Sequence, residues 1–221
     1  VQADGGGFRQ HSRWGERLHA TTIQSCMNDT STPISLRDSF LVAMPGMLDP
    51  TFAGSVVYVC EHSDKGALGL VVNRPTDLTV ETLFERIDLV LEIAPIGRQP
   101  VYFGGPVQTE RGFVLHEAVE AEYTSSVQVT DALRLTTSKD VLEAVSTGAG
   151  PRKMLITLGY AGWGEGQLED EIAANGWLTV RAGAQVANRI LFDTPVTERY
   201  TETVKLLGFD PFMLSGDAGH A

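Results

Sequence analysis

Three consecutive residues, Cys60-Glu61-His62, form the densest group of reactive side chains in this sequence. On a regular strand, Cys60 and His62 would point to the same face about 6.5–7 Å apart, too far for a thiol–imidazole hydrogen bond unless the strand bends. An imidazolium near the thiol would lower the pKa of Cys60 and produce a reactive thiolate. One interpretation is therefore a nucleophile or redox sensor, with His62 or His116 as its base. The other is that Cys60 is a small buried hydrophobic residue, as free cysteines often are.

The same residues do not make a convincing metal site. Cys60, His62 and His116 could act as three ligands for zinc, together with Glu61 or Glu117. However, the sequence has no pair of ligands at the tight spacing that is typical of zinc motifs. We therefore predict neither a metal nor a cofactor.

Two short segments are candidates for ligand binding. Asn73 and Arg74 precede Pro75 at a predicted strand end, where an amide and a guanidinium can hold a carboxylate or phosphate. The same pair can instead lock a turn, for example to Asp77, and we favour that reading. Gly104 and Gly105 precede a proline and predict a turn that could line a pocket near the Cys60 hairpin.

A glycine cluster over residues 159–166 resembles a phosphate-binding loop only superficially. It lacks the Lys-Ser/Thr pair of a nucleotide loop, and the acidic residues that follow would repel phosphate. We therefore interpret these glycines as a tight turn before a helix.

Short apolar runs rich in β-branched residues must position these candidates. The central pair is Val56–Cys60 and Ala67–Val72, which flank a polar turn that ends at Gly66. Further strands are predicted over residues 40–44, 101–103, 112–116, 133–137, 154–159, 177–181 and 189–192. Helical spacing of apolar residues predicts helices over residues 80–91, with Thr79 as the cap, and over 139–147, 167–174 and 198–207. Short strands mixed with helices that do not strictly alternate predict an α+β, or mixed α/β, fold.

Composition excludes several classes of protein. The 221 residues are 43% hydrophobic and 20% charged, as is typical of a globular domain with a substantial core. A formal charge of −11, from 17 basic and 28 acidic residues, disfavours direct nucleic-acid binding, which requires clustered Lys and Arg. No apolar run approaches the roughly 20 residues of a membrane span, and we predict a cytoplasmic location with no membrane contact.

The ends of the chain differ from its centre. Residues 1–38 include three consecutive glycines and show no hydrophobic period before residue 39, so we predict a flexible N-terminal extension. Met27 is a candidate native start, which would make residues 1–26 an upstream addition. Residues 39–212 then form a single domain, and residues 213–221 are a predicted C-terminal tail.

Five ordered blocks carry a family resemblance over roughly residues 39–211. They are MPGMLDPTFAGSVVYVCEH, GALGLVVNRP, VYFGGPV, RGFVLH and LGYAGWGEGQLEDEIAANGWL. Together they resemble the AlgH/YqgE family of bacterial proteins. The resemblance implies one domain with a mixed, partly barrel-like β-sheet flanked by helices. It also implies a cytosolic protein of unestablished activity, to which a role in transcriptional regulation is attached through a link to alginate production.

Two hypotheses about function follow. The first is a regulatory or interaction protein that acts through an unknown protein partner or a small-molecule ligand. Direct DNA binding is less favoured, because the predicted helices are acidic or neutral and lack an exposed basic face. The alternative is a thiol-dependent enzyme or redox sensor that uses Cys60 with His62.

Overall fold

The computed structural model describes residues 35–92 and 94–208. The predicted start at Met27 and the predicted C-terminal tail lie outside these residues. Residues 35–38, which the sequence places in the N-terminal extension, are hydrogen-bonded to the sheet. The Asp38 N–H donates to the carbonyl of Val59 at 3.0 Å, and the Tyr58 hydroxyl donates to the Asp38 carboxylate at 2.5 Å.

Ten strands within the described residues form one curled, mainly antiparallel sheet. They are β1 (Ser39–Ala43), β2 (Val56–Ser63), β3 (Gly66–Val71), β4 (Pro75–Thr79), β5 (Pro100–Phe103), β6 (Val107–Glu117), β7 (Ser126–Gln128), β8 (Leu133–Thr136), β9 (Met154–Trp163) and β10 (Trp177–Arg181). Their order is β10-β1-β2-β3-β9-β6-β8-β7, and β5 joins β4 to β9. Only the β5–β9 pair is parallel among these strands.

The predicted hairpin around Cys60 is present as β2 and β3. Val57 pairs with Val71 and Ser63 pairs with Gly66, but the register shifts between Val59 and Glu61. This shift is a β-bulge, in which an extra residue on one strand bends the strand locally. The bulge changes the direction of the candidate side chains, as described below.

Six α-helices and one π-helix flank the sheet in the described part of the chain. The α-helices are α1 (Val80–Arg86), α2 (Ala94–Gly97), α3 (Asp140–Ser146), α4 (Gln167–Ala173), α5 (Ala184–Asn188) and α6 (Arg199–Lys205), and the π-helix is Arg189–Asp193. The predicted cap of α1 is confirmed, because the Thr79 side chain accepts a hydrogen bond from the Thr82 N–H at 3.2 Å.

Three predictions of local structure were wrong. The glycines over residues 159–166 do not all belong to a turn, because β9 continues through Gly159 and Gly162 to Trp163. The first helix was expected to reach Leu91 but ends at Arg86. Asp88 has a φ of 57°, which a helix cannot accommodate, and Val90 is 81% exposed. The predicted strand over residues 189–192 is instead the π-helix, which continues directly from α5. A short apolar run such as this one is compatible with either a strand or a buried helix, and periodicity alone does not separate them.

The buried side chains form three clusters on the two faces of the sheet. The cluster on the inner face lies under α5, the π-helix and α6 and includes Tyr58, Cys60 and Leu115. On the outer face, one cluster is covered by α1 and α3. The other contains Trp163 and Trp177 and is covered by α4.

The predicted fold class is confirmed. The chain forms an α+β domain with a curled, half-barrel sheet flanked by helices. No helix among the described residues is both long enough and apolar enough to cross a membrane.

Candidate functional site

Cys60 occupies the bulge of β2 and is 1% exposed in the inner cluster. Its Sγ lies 3.7 Å from the carbonyl oxygen of Tyr58. Burial, with a smaller contribution from the negative charge of Glu61, raises the pKa of the Cys60 thiol far above its usual range. The environment therefore favours a neutral, protected thiol over a thiolate.

His62 lies on the opposite face of the sheet from Cys60. The bulge interrupts the alternation, so that Cys60 packs into the inner cluster while His62 pairs with Ala67, which packs in the Trp163 cluster. The expectation that Cys60 and His62 share a face therefore does not hold. The reason is the extra residue in β2, which a regular period of two does not anticipate.

Both ring nitrogens of His62 have partners. Nδ1 accepts a hydrogen bond from the Leu36 N–H at 3.2 Å. Nε2 therefore carries the proton in the neutral ring and donates to the Glu169 carboxylate at 2.7 Å. The His62 side chain, which is 4% exposed, thus connects the segment before β1 to α4. This arrangement is structural and leaves no nitrogen to act as a base for Cys60.

His116 is buried in β6, and strands β3 and β9 lie between it and β2. Its Nδ1 donates to the Glu117 carbonyl at 2.7 Å, and its Nε2 lies within hydrogen-bonding distance of the Thr136 hydroxyl, at 2.8 Å. Burial lowers the pKa of His116, so the ring is neutral at neutral pH. The described residues contain no group of three or more His, Cys, Asp or Glu side chains that could hold a metal ion.

Asn73 and Arg74 hold the loop before β2 against the end of β3. The Asn73 amide accepts from the Val56 N–H at 2.8 Å and donates to the Gly54 carbonyl at 2.9 Å. Arg74 donates to the carbonyl of Ala53 at 2.6 Å and more weakly to that of Pro50. These partners are backbone oxygens, and Arg74 forms no ion pair with Asp77 or any other acid in the part of the chain that the structure describes. Both residues also line an open groove of about 600 Å³, which we call the Arg74 groove; its other lining residues are Pro50, Thr51, Pro75 and Phe103.

Gly104 and Gly105 are packed against the middle of β9. A Cβ atom at Gly104 would lie 2.2 Å from the carbonyl oxygen of Gly159, and one at Gly105 would lie 2.1 Å from the carbonyl carbon of Tyr160. Gly105 also has a φ of 151°, which disfavours other residues. These glycines allow close approach of two backbones, so the space beside them is already filled by protein.

A cavity that sequence reasoning missed lies between β5, the beginning of β9, the π-helix and α6. Its volume is about 200 Å³. Three basic side chains line it, from Arg152, Lys153 and Arg199, together with one acidic side chain, from Asp193. We call it the Arg199 cavity.

Arg199 is the most unusual residue of this cavity, because it is only 4% exposed. Its guanidinium donates through Nε to the Thr194 carbonyl at 3.2 Å and through one Nη to the carbonyl of Val72. It also lies over the ring of Tyr102, with 5.1 Å between Cζ and the ring centroid. Burial lowers the pKa of Arg199, while Tyr102 opposes this shift. Arg199 forms no ion pair with another described residue.

Arg152 and Lys153 bring further positive charge to the cavity. Lys153 forms an ion pair with Asp193 at 2.7 Å, in which both side chains are about half exposed. The Glu117 carboxylate accepts hydrogen bonds from the backbone N–H groups of Arg152 and Lys153 at 2.9 and 3.2 Å. The side chains that line the cavity therefore carry a net charge of two positive units, although the whole chain carries −11.

One local signal could have pointed to Arg199. The first turn of a helix favours acidic side chains, because the backbone N–H groups there carry partial positive charge. An arginine as the first residue of α6 opposes this preference, and such an exception suggests another role. The sequence alone does not show that this residue is buried.

Comparisons with known proteins agree on one family. A model of the AlgH-like family matches residues 40–212. A UPF0301 protein of Cupriavidus metallidurans is 62% identical over 195 residues, which cover 88% of this chain and 100% of the relative. A UPF0301 protein of Burkholderia cenocepacia is 63% identical over 196 residues, with the same two coverages.

Two solved structures are similar to this one. The solution structure of the AlgH protein from Pseudomonas aeruginosa superposes with a TM-score of 0.69 at 45% identity, and covers 88% of this chain and 100% of that protein. A crystal structure of a Corynebacterium diphtheriae protein gives a TM-score of 0.61 at 20% identity, and covers 85% of this chain and 93% of that one. The second similarity is one of fold alone.

Proposed function

This chain belongs to the AlgH-like family, and from its geometry we propose that it is a cytoplasmic, non-catalytic regulatory protein that responds to a small molecule in the Arg199 cavity. The observation that carries this proposal is Arg199 itself. A buried charge without an opposite charge is costly, and the contacts of Arg199 with two carbonyls and the Tyr102 ring supply no opposite charge. A ligand bound in the adjoining cavity would offset that cost.

The contacts of Arg199 also suggest how a bound ligand affects the surface. Arg199 donates to the carbonyl of Val72, and the next two residues, Asn73 and Arg74, line the Arg74 groove. A ligand that changes the position of the guanidinium would therefore act on the end of β3. Through this connection, occupancy of the cavity would alter the shape of the Arg74 groove.

The thiol-dependent alternative has less support. A nucleophilic cysteine requires access and a stabilised thiolate. Cys60 is buried, its thiol pKa is raised, and both nitrogens of His62 are engaged elsewhere. Direct DNA binding is also less favoured, because α1, α3 and α4 together contain one basic residue, Arg86.

The experiment is an NMR titration of the ¹⁵N-labelled chain with the protein-free, low-molecular-mass fraction of a bacterial extract. We expect backbone amide shifts at residues that line the Arg199 cavity and at Asn73, which follows the Val72 carbonyl. A parallel gel-shift titration with genomic DNA fragments should give no sequence-preferring complex that survives higher salt. If the extract leaves the cavity residues unchanged, or if such a DNA complex forms, the proposal is wrong.

A further inference from the structure

We propose that the ligand of the Arg199 cavity is a small oxyanion with two negative charges, either a phosphate or a short dicarboxylate. This inference rests on the proposed function and adds the chemical class of the ligand. It depends on the free donors of Arg199, on the charge of the lining and on the size of the cavity.

The guanidinium of Arg199 retains donors for a ligand. Arginine has five N–H donors and no acceptor. Two donors serve the carbonyls of Thr194 and Val72, and the Tyr102 side chain is a further hydrogen-bond partner. Two N–H donors of the planar group then remain, and carboxylate or phosphate oxygens are acceptors that suit them.

The charge of the lining favours two negative charges. Asp193 neutralises Lys153 through their 2.7 Å contact, which leaves the buried Arg199 and the exposed Arg152 as the two lining cations without an ion-pair partner among the described residues. A dianion would balance both, whereas a neutral ligand would leave the buried charge of Arg199 as it is. Since charged groups interact more strongly away from water, the buried Arg199 is expected to contribute most of the discrimination.

Glu117 fixes the segment that carries the other two basic residues. Its carboxylate accepts from the backbone N–H groups of both Arg152 and Lys153, and this holds the turn before β9 against the end of β6. Glu117 is therefore a positioning residue, which orients the rim of the cavity without contacting the ligand.

The volume sets the size of the ligand. Cavities for drug-sized ligands occupy about 300–1,000 Å³. The Arg199 cavity, at about 200 Å³, lies below that range, which favours a small ligand such as phosphate or a four-carbon dicarboxylate over a nucleotide.

The test is an NMR titration of the ¹⁵N-labelled chain with inorganic phosphate and, separately, with succinate at constant ionic strength. We expect saturable shifts at residues 99–102, 152–156 and 192–199 with at least one of these anions, and none with glycerol. The two anions distinguish a phosphate ligand from a carboxylate ligand. If neither anion causes saturable shifts at these residues, the anion proposal is wrong.

Three variants assign the binding to the cavity. Arg199→Lys keeps the charge but removes the planar donor pair, and should weaken binding about tenfold, equivalent to about 1.4 kcal/mol. Lys153→Gln leaves the Asp193 carboxylate unpaired beside the cavity, where it repels an anion, and should weaken binding about two- to fivefold. Lys205→Gln removes the same charge from α6 at a residue that does not line the cavity and should bind within about twofold of the original chain. Equal affinities for all three variants would also overturn the proposal.

Lys153→Gln keeps the test decisive even if Arg199→Lys fails to fold, because the Lys153 side chain is half exposed and its ion-pair partner Asp193 is half exposed as well. The outcome also separates the two proposals. If the extract shifts the cavity residues and neither anion does, the ligand is not a small dianion, but the cavity remains a ligand site. If neither the extract nor the anions shift them, both proposals fail.

Discussion

Replacing Glu171 tests how the outer face of the sheet is held together. One carboxylate oxygen of Glu171 accepts the indole N–H groups of Trp163 at 2.9 Å and Trp177 at 2.8 Å. The other accepts from the Gln167 side chain at 2.9 Å. Both indoles are buried, with 6% and 2% exposure. A single side chain on α4 therefore satisfies two buried donors on two different strands.

The expected loss of stability in Glu171→Ala follows from the two indole N–H donors that would lose their acceptor. An unsatisfied buried donor costs about 1–3 kcal/mol, so Glu171→Ala should lower the free energy of unfolding by about 2–4 kcal/mol, after allowing for water that enters the space. Glu171→Gln retains one acceptor oxygen for the two indoles, but it loses the charge and replaces the oxygen that accepts from Gln167 with an NH2 donor. We expect it to lower the free energy of unfolding by about 1 kcal/mol.

Urea denaturation, followed by far-UV circular dichroism, measures both changes. Asp170→Ala on the same helix is the matched control, because Asp170 is exposed and contributes less than about 1 kcal/mol through the helix dipole. The proposed role of Glu171 as acceptor for both indoles is wrong if Glu171→Ala is no more destabilising than Asp170→Ala, or if Glu171→Gln lowers the free energy of unfolding as much as Glu171→Ala.

Two further predictions concern candidate site residues. Gly105→Ala should lower the free energy of unfolding by more than about 3 kcal/mol, because the new Cβ would lie 2.1 Å from a backbone carbon. Gly46→Ala is the control and should change this free energy by less than about 1 kcal/mol, because nothing lies within 4 Å of its Cβ position. Similar thermal unfolding midpoints for the two variants would contradict this prediction. In a Cys26→Ala background, alkylation of Cys60 between about pH 7 and 9 should occur only as fast as the chain opens, since burial raises the thiol pKa. For the same reason, the stabilisation from a neutral Cys60 is complete below the ordinary thiol pKa of about 8.5 and decreases above it. Rapid labelling with a midpoint below that value, lost in His62→Ala, would restore the reactive-thiol hypothesis.

Local sequence patterns predicted much of the sheet. The β2–β3 hairpin follows from two β-branched runs around a glycine turn, and the Thr79 cap follows from the side chain that precedes an amphipathic run. Each of these features depends on residues that are close together in the chain. Their agreement with the structure is therefore expected.

The bulge at Cys60 could not be predicted in this way. Its presence depends on the register between β2 and β3, and one extra residue reverses which side chains share a face. The prediction that His62 shares a face of the sheet with Cys60 was consequently wrong, although the strand that carries both residues was predicted correctly. The partners of His62 come from Leu36 and Glu169, the second of which is 107 positions away.

The Arg199 cavity was missed for a related reason. The residues that make Arg199 unusual are distant in sequence, since Val72 lies 127 positions before it. An arginine in a predicted amphipathic helix ordinarily indicates an exposed polar face. Only the docking of α6 onto the inner face of the sheet buries it.

Ligand binding in the Arg199 cavity is tested most directly by the side-chain ¹⁵N spectrum of the Arg199 guanidinium, recorded with and without the low-molecular-mass extract fraction. We expect a shift of the Arg199 Nε–H signal together with the backbone amide of Asn73, and loss of the Asn73 shift in Arg199→Lys. An unchanged Arg199 signal, while residues elsewhere in the chain respond to the same fraction, would contradict the claim that this protein acts through a ligand in the Arg199 cavity.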